Sequence, residues 1–190
     1  MRSGLIVALA VLAQGCAGGG SEPPLSTGER VSLVGRFTPP EGSTLLIVGQ
    51  DLGAVAGYAE GVHSAPGGVT TYTSLWSLGG LEGPANWGSG DVNGQALLDA
   101  YPQSALALGL HMVESEGDEL NRLVEGDYDD EVDRLGRFIQ RAGRPVYLRI
   151  GYEFDGPWNH YPPAEYVAAW RYLVERLRGA GVDNFASVWQ

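Results

Sequence analysis

From Thr44 onward, short apolar runs alternate with longer stretches in which apolar residues recur every three or four positions. That rhythm builds parallel sheets flanked by helices. Five segments predict strands: Thr44–Gln50, Gly68–Trp76, Ala105–Val113, Pro145–Tyr152 and Asn184–Gln190. The stretch Asp129–Ala142 predicts a helix, with Val132, Leu135, Ile139 and Ala142 on one side, acidic residues first and arginines last, as the helix dipole favours. A second helix starts at Pro162-Pro163, where proline suits a first turn; Tyr166, Trp170, Leu173 and Leu177 follow at helical spacing, and Gly179 and Gly181 stop it. Val92–Ala100 reads as a third helix and Leu52–Gly61 as a turn or two. The glycines of Gly79–Gly90 predict a long loop, the kind of segment that carries binding residues at one end of an α/β fold.

Residues before Thr44 do not share this rhythm. Arg2, the apolar run Leu5–Ala13 and the small residues up to Cys16 read as an export leader too short to span a bilayer. Cys16 is the single cysteine, so it has no internal disulfide partner. Its place suits lipid attachment after cleavage, and an ordinary cleaved signal is the other reading. Gly18–Arg30, rich in Gly, Ser and Pro, suits a tether within a lead-in at 17–43. The expected location is therefore exported: a surface lipoprotein anchored to a membrane through Cys16, or a secreted protein.

A net charge of −11 argues against nucleic acid as a partner, because phosphate binding needs clustered Lys and Arg. His63, His111 and His160 show no paired spacing and no cysteine cluster accompanies them, so neither metal nor cofactor is expected. Gly49-Gln50-Asp51-Leu52-Gly53 lacks the Gly-Lys-Ser/Thr ending of a phosphate loop, and no G-x-S-x-G elbow is present.

The chemistry concentrates in Tyr147–Tyr161, YLRIGYEFDGPWNHY. An alternating strand ends in turn formers that place Glu153 in a loop crowded with rings. Glycosidic cleavage needs one carboxylic acid to protonate the leaving oxygen and a second carboxylate to attack or to activate water. Glu153 is the candidate acid, with Tyr152, Phe154 and Trp158 expected to enclose it in a setting that favours its protonated form. A glutamate that merely caps a turn is the plain alternative. Aromatic faces stack on sugar rings, which makes Trp158 the first candidate platform. Trp76 and Trp189 end strands and fit either a sugar platform or core. Trp87 fits either a platform or a ring folded on the rim, and Trp170 lies on an inward helical stripe. Asp51 fits a polar binding residue or a helix cap, Asp155 a turn residue, and Glu114 an exposed acid beside Glu116.

Arg149, Tyr152-Glu153, Gly156 and Trp158 together resemble the acid/base segment of family 26 glycoside hydrolases, which usually reads R-x-x-H-E-x-x-G-x-W, with Tyr152 standing where histidine is usual. The wording R-I-G-Y-E-F-D-G-x-W-N is closer to the branch that includes β-1,3-xylanases than to typical mannanases. The resemblance covers Leu45–Gln190. It implies a (β/α)8 TIM barrel whose acid/base, Glu153, ends the fourth strand, a retaining mechanism, and a nucleophile ending the seventh. It also implies a substrate contact from His111. Tyr152 is a further candidate substrate contact, and Arg149 fits either a residue that orients Glu153 or a neighbouring carboxylate or one that fills the interior. A whole barrel takes about 250 residues, so residues 44–190 are expected to form a partial barrel domain, truncated after about the fifth strand and inactive alone. The expected function is hydrolysis of a β-linked polysaccharide such as β-mannan or β-1,3-xylan. A glycan-binding surface lipoprotein without catalysis is the rival, and a barrel with a purely structural role is the second.

Overall fold

The computed structural model describes residues 35–114 and 118–190. The segments expected to form an export leader and a tether, with Cys16 between them, lie outside the described residues. Among the described residues seven strands and five helices follow one another as β1 (Ile47–Val48), α1 (Leu52–Val62), β2 (Gly68–Ser74), β3 (Ala85–Asn86), β4 (Asp91–Val92), α2 (Gly94–Ala100), β5 (Ala105–His111), α3 (Glu119–Glu125), α4 (Asp129–Ala142), β6 (Val146–Ile150), α5 (Pro163–Gly179) and β7 (Phe185–Val188).

Five strands form one parallel sheet in the order β1-β2-β5-β6-β7, and β3 pairs antiparallel with β4 in a separate hairpin. The fold is thus mixed α/β with a parallel sheet. Each main-sheet strand lies beside the previous one, so every right-handed crossover carries its helix to the same side. Side-chain alternation then separates two faces with different chemistry. One face bears Leu106, Leu108, Leu110, Val146, Leu148 and Ile150, which join Val132, Leu135, Phe138 and Ile139 of α4 and Tyr166, Leu173 and Leu177 of α5 in a single core. Each of the six strand residues is fully buried, worth about 1.5–3 kcal/mol apiece. The opposite face bears Thr70, Tyr72 and Ser74 of β2, Ala107, Gly109 and His111 of β5, and Tyr147 and Arg149 of β6. It is the face that carries polar and aromatic groups.

Helix α4 runs over the predicted span, and α5 begins at Pro163 as expected. Arg176 of α5 ties the two together, reaching Asp129 at 2.7 Å and Asp133 at 2.9 Å. The structure corrects three readings. Leu52–Val62 is an eleven-residue helix rather than a turn or two, because Asp51 Oδ1 accepts from Ala54 N–H at 2.9 Å and the αL residue His63 closes its far end. Helix α3 was not foreseen; its seven residues are too short to show a periodicity. The loop at 79–90 contains β3 and leads into β4, forming a hairpin joined by Asn86 Nδ2 donating to Asp91 Oδ1 at 2.7 Å. The lead-in at 35–43 forms no helix or strand, yet it is tied to the sheet: Tyr147 donates its hydroxyl to the Phe37 carbonyl at 2.7 Å, and Arg36 pairs with Asp183.

Candidate active site

All five parallel strands end at one side, so the loops after them gather there. The loop after β6 is the most constrained. Gly151 has φ +57°, and a Cβ there would fall 2.6 Å from the Tyr166 ring and 2.9 Å from Met112, so both its backbone conformation and its neighbours require glycine. Its N–H continues the ladder to the Leu110 carbonyl at 2.9 Å. Glu153 is also left-handed, at φ 55°, an unusual state for a residue with a Cβ. A tight turn follows, with Gly156 N–H donating to the Glu153 carbonyl at 2.8 Å and Asn159 N–H to the Gly156 carbonyl at 3.0 Å. The buried Asn159 side chain fastens the turn from inside, donating to the Tyr152 carbonyl at 3.2 Å and the Glu153 carbonyl at 2.8 Å. On the outer side Phe154 stacks on Tyr166 with ring centroids 5.0 Å apart.

This arrangement holds Glu153 at the carboxyl end of β6. Its Oε2 accepts from the Trp158 indole N–H at 3.2 Å, and the carboxylate takes no other hydrogen bond among the described residues. Trp158 is 66% exposed, and its ring rests on Gly156, where a Cβ would lie 2.6 Å from Cε2. The expected aromatic enclosure of Glu153 does not form: its side chain is exposed, Phe154 turns outward onto Tyr166, and Tyr152 packs toward the sheet. Beside the loop a cleft of about 590 Å³ is lined by Phe154, Asp155, Gly156, Pro157, Tyr161 and Pro162. Glu153 and Trp158 are not among its walls.

Tyr152, His111, Arg149 and Trp76 join Tyr72 in one cluster over the polar face, in which Tyr152 touches Tyr72, His111 and Arg149 and Trp76 joins through His111. Tyr152 meets Tyr72 edge-on at 5.2 Å and lies 6.1 Å from His111, which also meets Trp76 at 5.6 Å and Tyr161 at 6.1 Å. The Arg149 guanidinium stands 5.7 Å from the Tyr72 ring and 5.4 Å from the Tyr152 ring, within cation–π range. Among the described residues Arg149 pairs with no carboxylate; its Nε donates to Gln190 Oε1 at 2.5 Å, and a longer contact reaches the Tyr72 hydroxyl. Burial lowers the His111 pKa from 6.5, which leaves a neutral imidazole with one donor and one acceptor at neutral pH. Burial raises the Tyr152 hydroxyl, with the neighbouring Tyr72 adding to it.

The remaining candidates lie elsewhere. Trp189, half exposed, belongs to a second group with Phe154, Tyr166 and Trp170. Asp51 caps α1, and Glu114 and Asp155 are exposed. None of the five parallel strands carries an acidic residue; Asp51, Glu114 and Glu153 each stand three residues past the end of β1, β5 and β6. Among the described residues no group of three His, Cys, Asp or Glu could hold a metal ion. The reading from sequence missed Tyr72, Asn159 and Gln190. Tyr72 was within reach, since Thr70, Tyr72 and Ser74 alternate with Val69, Thr71 and Thr73. Asn159 and Gln190 gave no signal, because each acts through a contact that only the folded loop creates.

No protein-family model matches the chain. The chain is 37% identical over 160 residues to the β-1,3-xylanase TXYA of a Vibrio species, a match covering 84% of this chain and 34% of that protein. It is 36% identical over 160 residues to a β-1,3-xylanase of an Alcaligenes species, covering 84% of this chain and 33% of that one. The chain therefore spans about a third of the length of the curated relatives it matches, and it is related to them over most of its own.

Proposed function

We propose that these residues form the first part of the catalytic domain of a retaining β-1,3-xylanase resembling family 26 glycoside hydrolases, with Glu153 as the acid/base. The observation that carries the reading is the Glu153 carboxylate at the carboxyl end of β6, held by the exposed indole of Trp158, in a chain more than one third identical to two β-1,3-xylanases. Substrate stacked on Trp158 brings its glycosidic oxygen to the free oxygen of Glu153. Glu153 protonates the leaving oxygen while a second carboxylate forms the glycosyl intermediate, and it then takes a proton from the attacking water. The Trp158 N–H holds the other oxygen in both half-reactions. Neutral His111 and the Tyr152 hydroxyl supply hydrogen bonds to sugar hydroxyls.

Five parallel strands in sequential order, helices on one side and a polar aromatic face on the other favour a (β/α)8 barrel closed by further strands. The nucleophile is then delivered by a later strand, outside residues 1–190. Export, with a lipid anchor at Cys16, belongs to the same proposal, since an extracellular polysaccharide must be met outside the cell. Without the nucleophile expected from that later strand, residues 1–190 alone should bind glycan without cleaving it. The test is to incubate the full product of the native gene, and residues 1–190 separately, with β-1,3-xylan and follow reducing ends and product anomers by NMR. The proposal expects turnover with first-formed β-anomers from the former and none from the latter. Absence of hydrolysis by the full product would sink it, and α-anomers would sink the retaining mechanism.

A further inference from the structure

Trp87 is 52% exposed and belongs to none of the ring clusters described above. It sits between β3 and β4, in the connection from β2 to α2, on the same side of the sheet as the Glu153 loop. Of the six exposed large hydrophobic residues among those described, three are tryptophans, Trp87, Trp158 and Trp189, and all three follow strands of the parallel sheet at their carboxyl ends.

The seat of Trp87 repeats that of Trp158. A Cβ at Gly80 would lie 3.2 Å from its Cη2, and one at Gly79 would lie 3.5 Å from its Cζ2, so the ring rests on a bare stretch of main chain. That floor is pinned: Thr73 Oγ1 donates to the Gly79 carbonyl at 2.9 Å, Ser77 Oγ accepts from Gly79 N–H at 3.2 Å, and Gly94 N–H donates to the Gly80 carbonyl at 2.7 Å. The hairpin itself is fixed by the Asn86–Asp91 pair and by Gly88 N–H donating to Asn86 Oδ1 at 2.8 Å. Its far end leans on α1, where a Cβ at Gly90 would meet the Asp51 side chain at 2.5 Å. An exposed indole held this firmly loses little freedom when a ligand stacks on it. Its N–H makes no hydrogen bond among the described residues and is left to donate to a hydroxyl.

We infer that Trp87 is a second sugar platform, a remote subsite that takes a xylose ring of the same chain whose scissile bond lies at Glu153. This rests on the xylanase reading above and deepens it. In the sheet β2 and β6 are separated by β5 alone, which sets their loops about 10 Å apart along the sheet. A chain crossing the mouth from Trp158 reaches Trp87 only when it is several sugars long. The hairpin thus reads chain length.

The test uses the full gene product carrying Glu153→Gln, which removes turnover, and titrates it calorimetrically with β-1,3-linked xylo-oligosaccharides of increasing length. Affinity is expected to rise with length, and adding Trp87→Ala should weaken the longest ligands about tenfold while leaving the disaccharide unchanged. Trp87→Phe, which keeps a ring and the fold, should retain most of the gain. If the parent binds the series and Trp87→Ala binds every length as tightly, the subsite is refuted. If the parent binds no member, the xylan reading itself fails, and the inference falls with it.

Discussion

Glu153 is held with φ 55°, where its Cβ crowds the following carbonyl, and a pair of substitutions isolates that cost. Glu153→Ala and Glu153→Gly both delete the carboxylate and its bond to Trp158, so they differ only by the Cβ. In the left-handed region the Cβ costs about 1–2 kcal/mol, while the greater freedom of glycine in the unfolded chain gives back about 0.4–1 kcal/mol. Glycine should therefore be the more stable variant by about 1 kcal/mol, or about 2–4 °C in midpoint for a chain of this size. The assay is urea unfolding followed by tryptophan fluorescence, with Ala168→Gly on the exposed side of α5 as the control. There the ordinary order should hold, glycine being worse by about 1 kcal/mol. If Glu153→Ala proved more stable than Glu153→Gly by a margin like that of the control, the left-handed placement would be wrong, and with it the aim of the carboxylate. Strain of this kind persists only where the surroundings over-determine it, and here Asn159, Gly156 and the stacked Phe154 do so.

Other substitutions test the supports one at a time. Asn159→Ala leaves two carbonyls without their donor and should cost about 1–3 kcal/mol, with faster amide exchange in residues 152–160; unchanged exchange there would remove Asn159 as the fastener. Gly151→Ala adds the left-handed cost of about 1–2 kcal/mol to an overlap with Tyr166 and Met112 worth about 1–3 kcal/mol, so the midpoint should fall by several degrees, and a neutral result would contradict the packing at the end of β6. His111 has its pKa lowered by burial, so the unfolded chain takes up its proton first on acidification. Its contribution to stability is fully present above its ordinary value of 6.5 and is lost as pH falls below that value toward the folded one. Melting from pH 7.5 to 5 should thus drop further for the parent than for His111→Asn, and parallel curves would show that His111 is not held neutral.

How much of this was legible depends on range along the chain. The helix at 129–142 declared itself because acids, apolar stripe, arginines and Gly143 all agreed, and the five strands were visible as apolar runs between turn formers. Helix α1 was read short because Gly53, Gly57 and Gly61 weaken its pattern and only Val55 is buried; its Asp51 cap compensates. The hairpin at 85–92 was hidden in a glycine-rich stretch whose strands are two residues long. Glu153 and Trp158 could be read together because their spacing of five is local. The partners of Arg149 could not, since Gln190 lies 41 residues away and Tyr72 lies 77, and the tie from Tyr147 to Phe37 crosses 110. Those distances are set by the order of strands in the sheet, which no short window contains.

The central claim is that Glu153 serves as the acid/base of a double displacement. It is tested most directly by assaying Glu153→Ala in the full gene product on an aryl β-xylobioside with and without azide. The account predicts that polymer hydrolysis falls by about 10²–10⁴, that the activated glycoside still forms the glycosyl intermediate, and that azide restores turnover to give a β-glycosyl azide. Wild-type hydrolysis of the polymer by the variant, or an α-glycosyl azide, would contradict it.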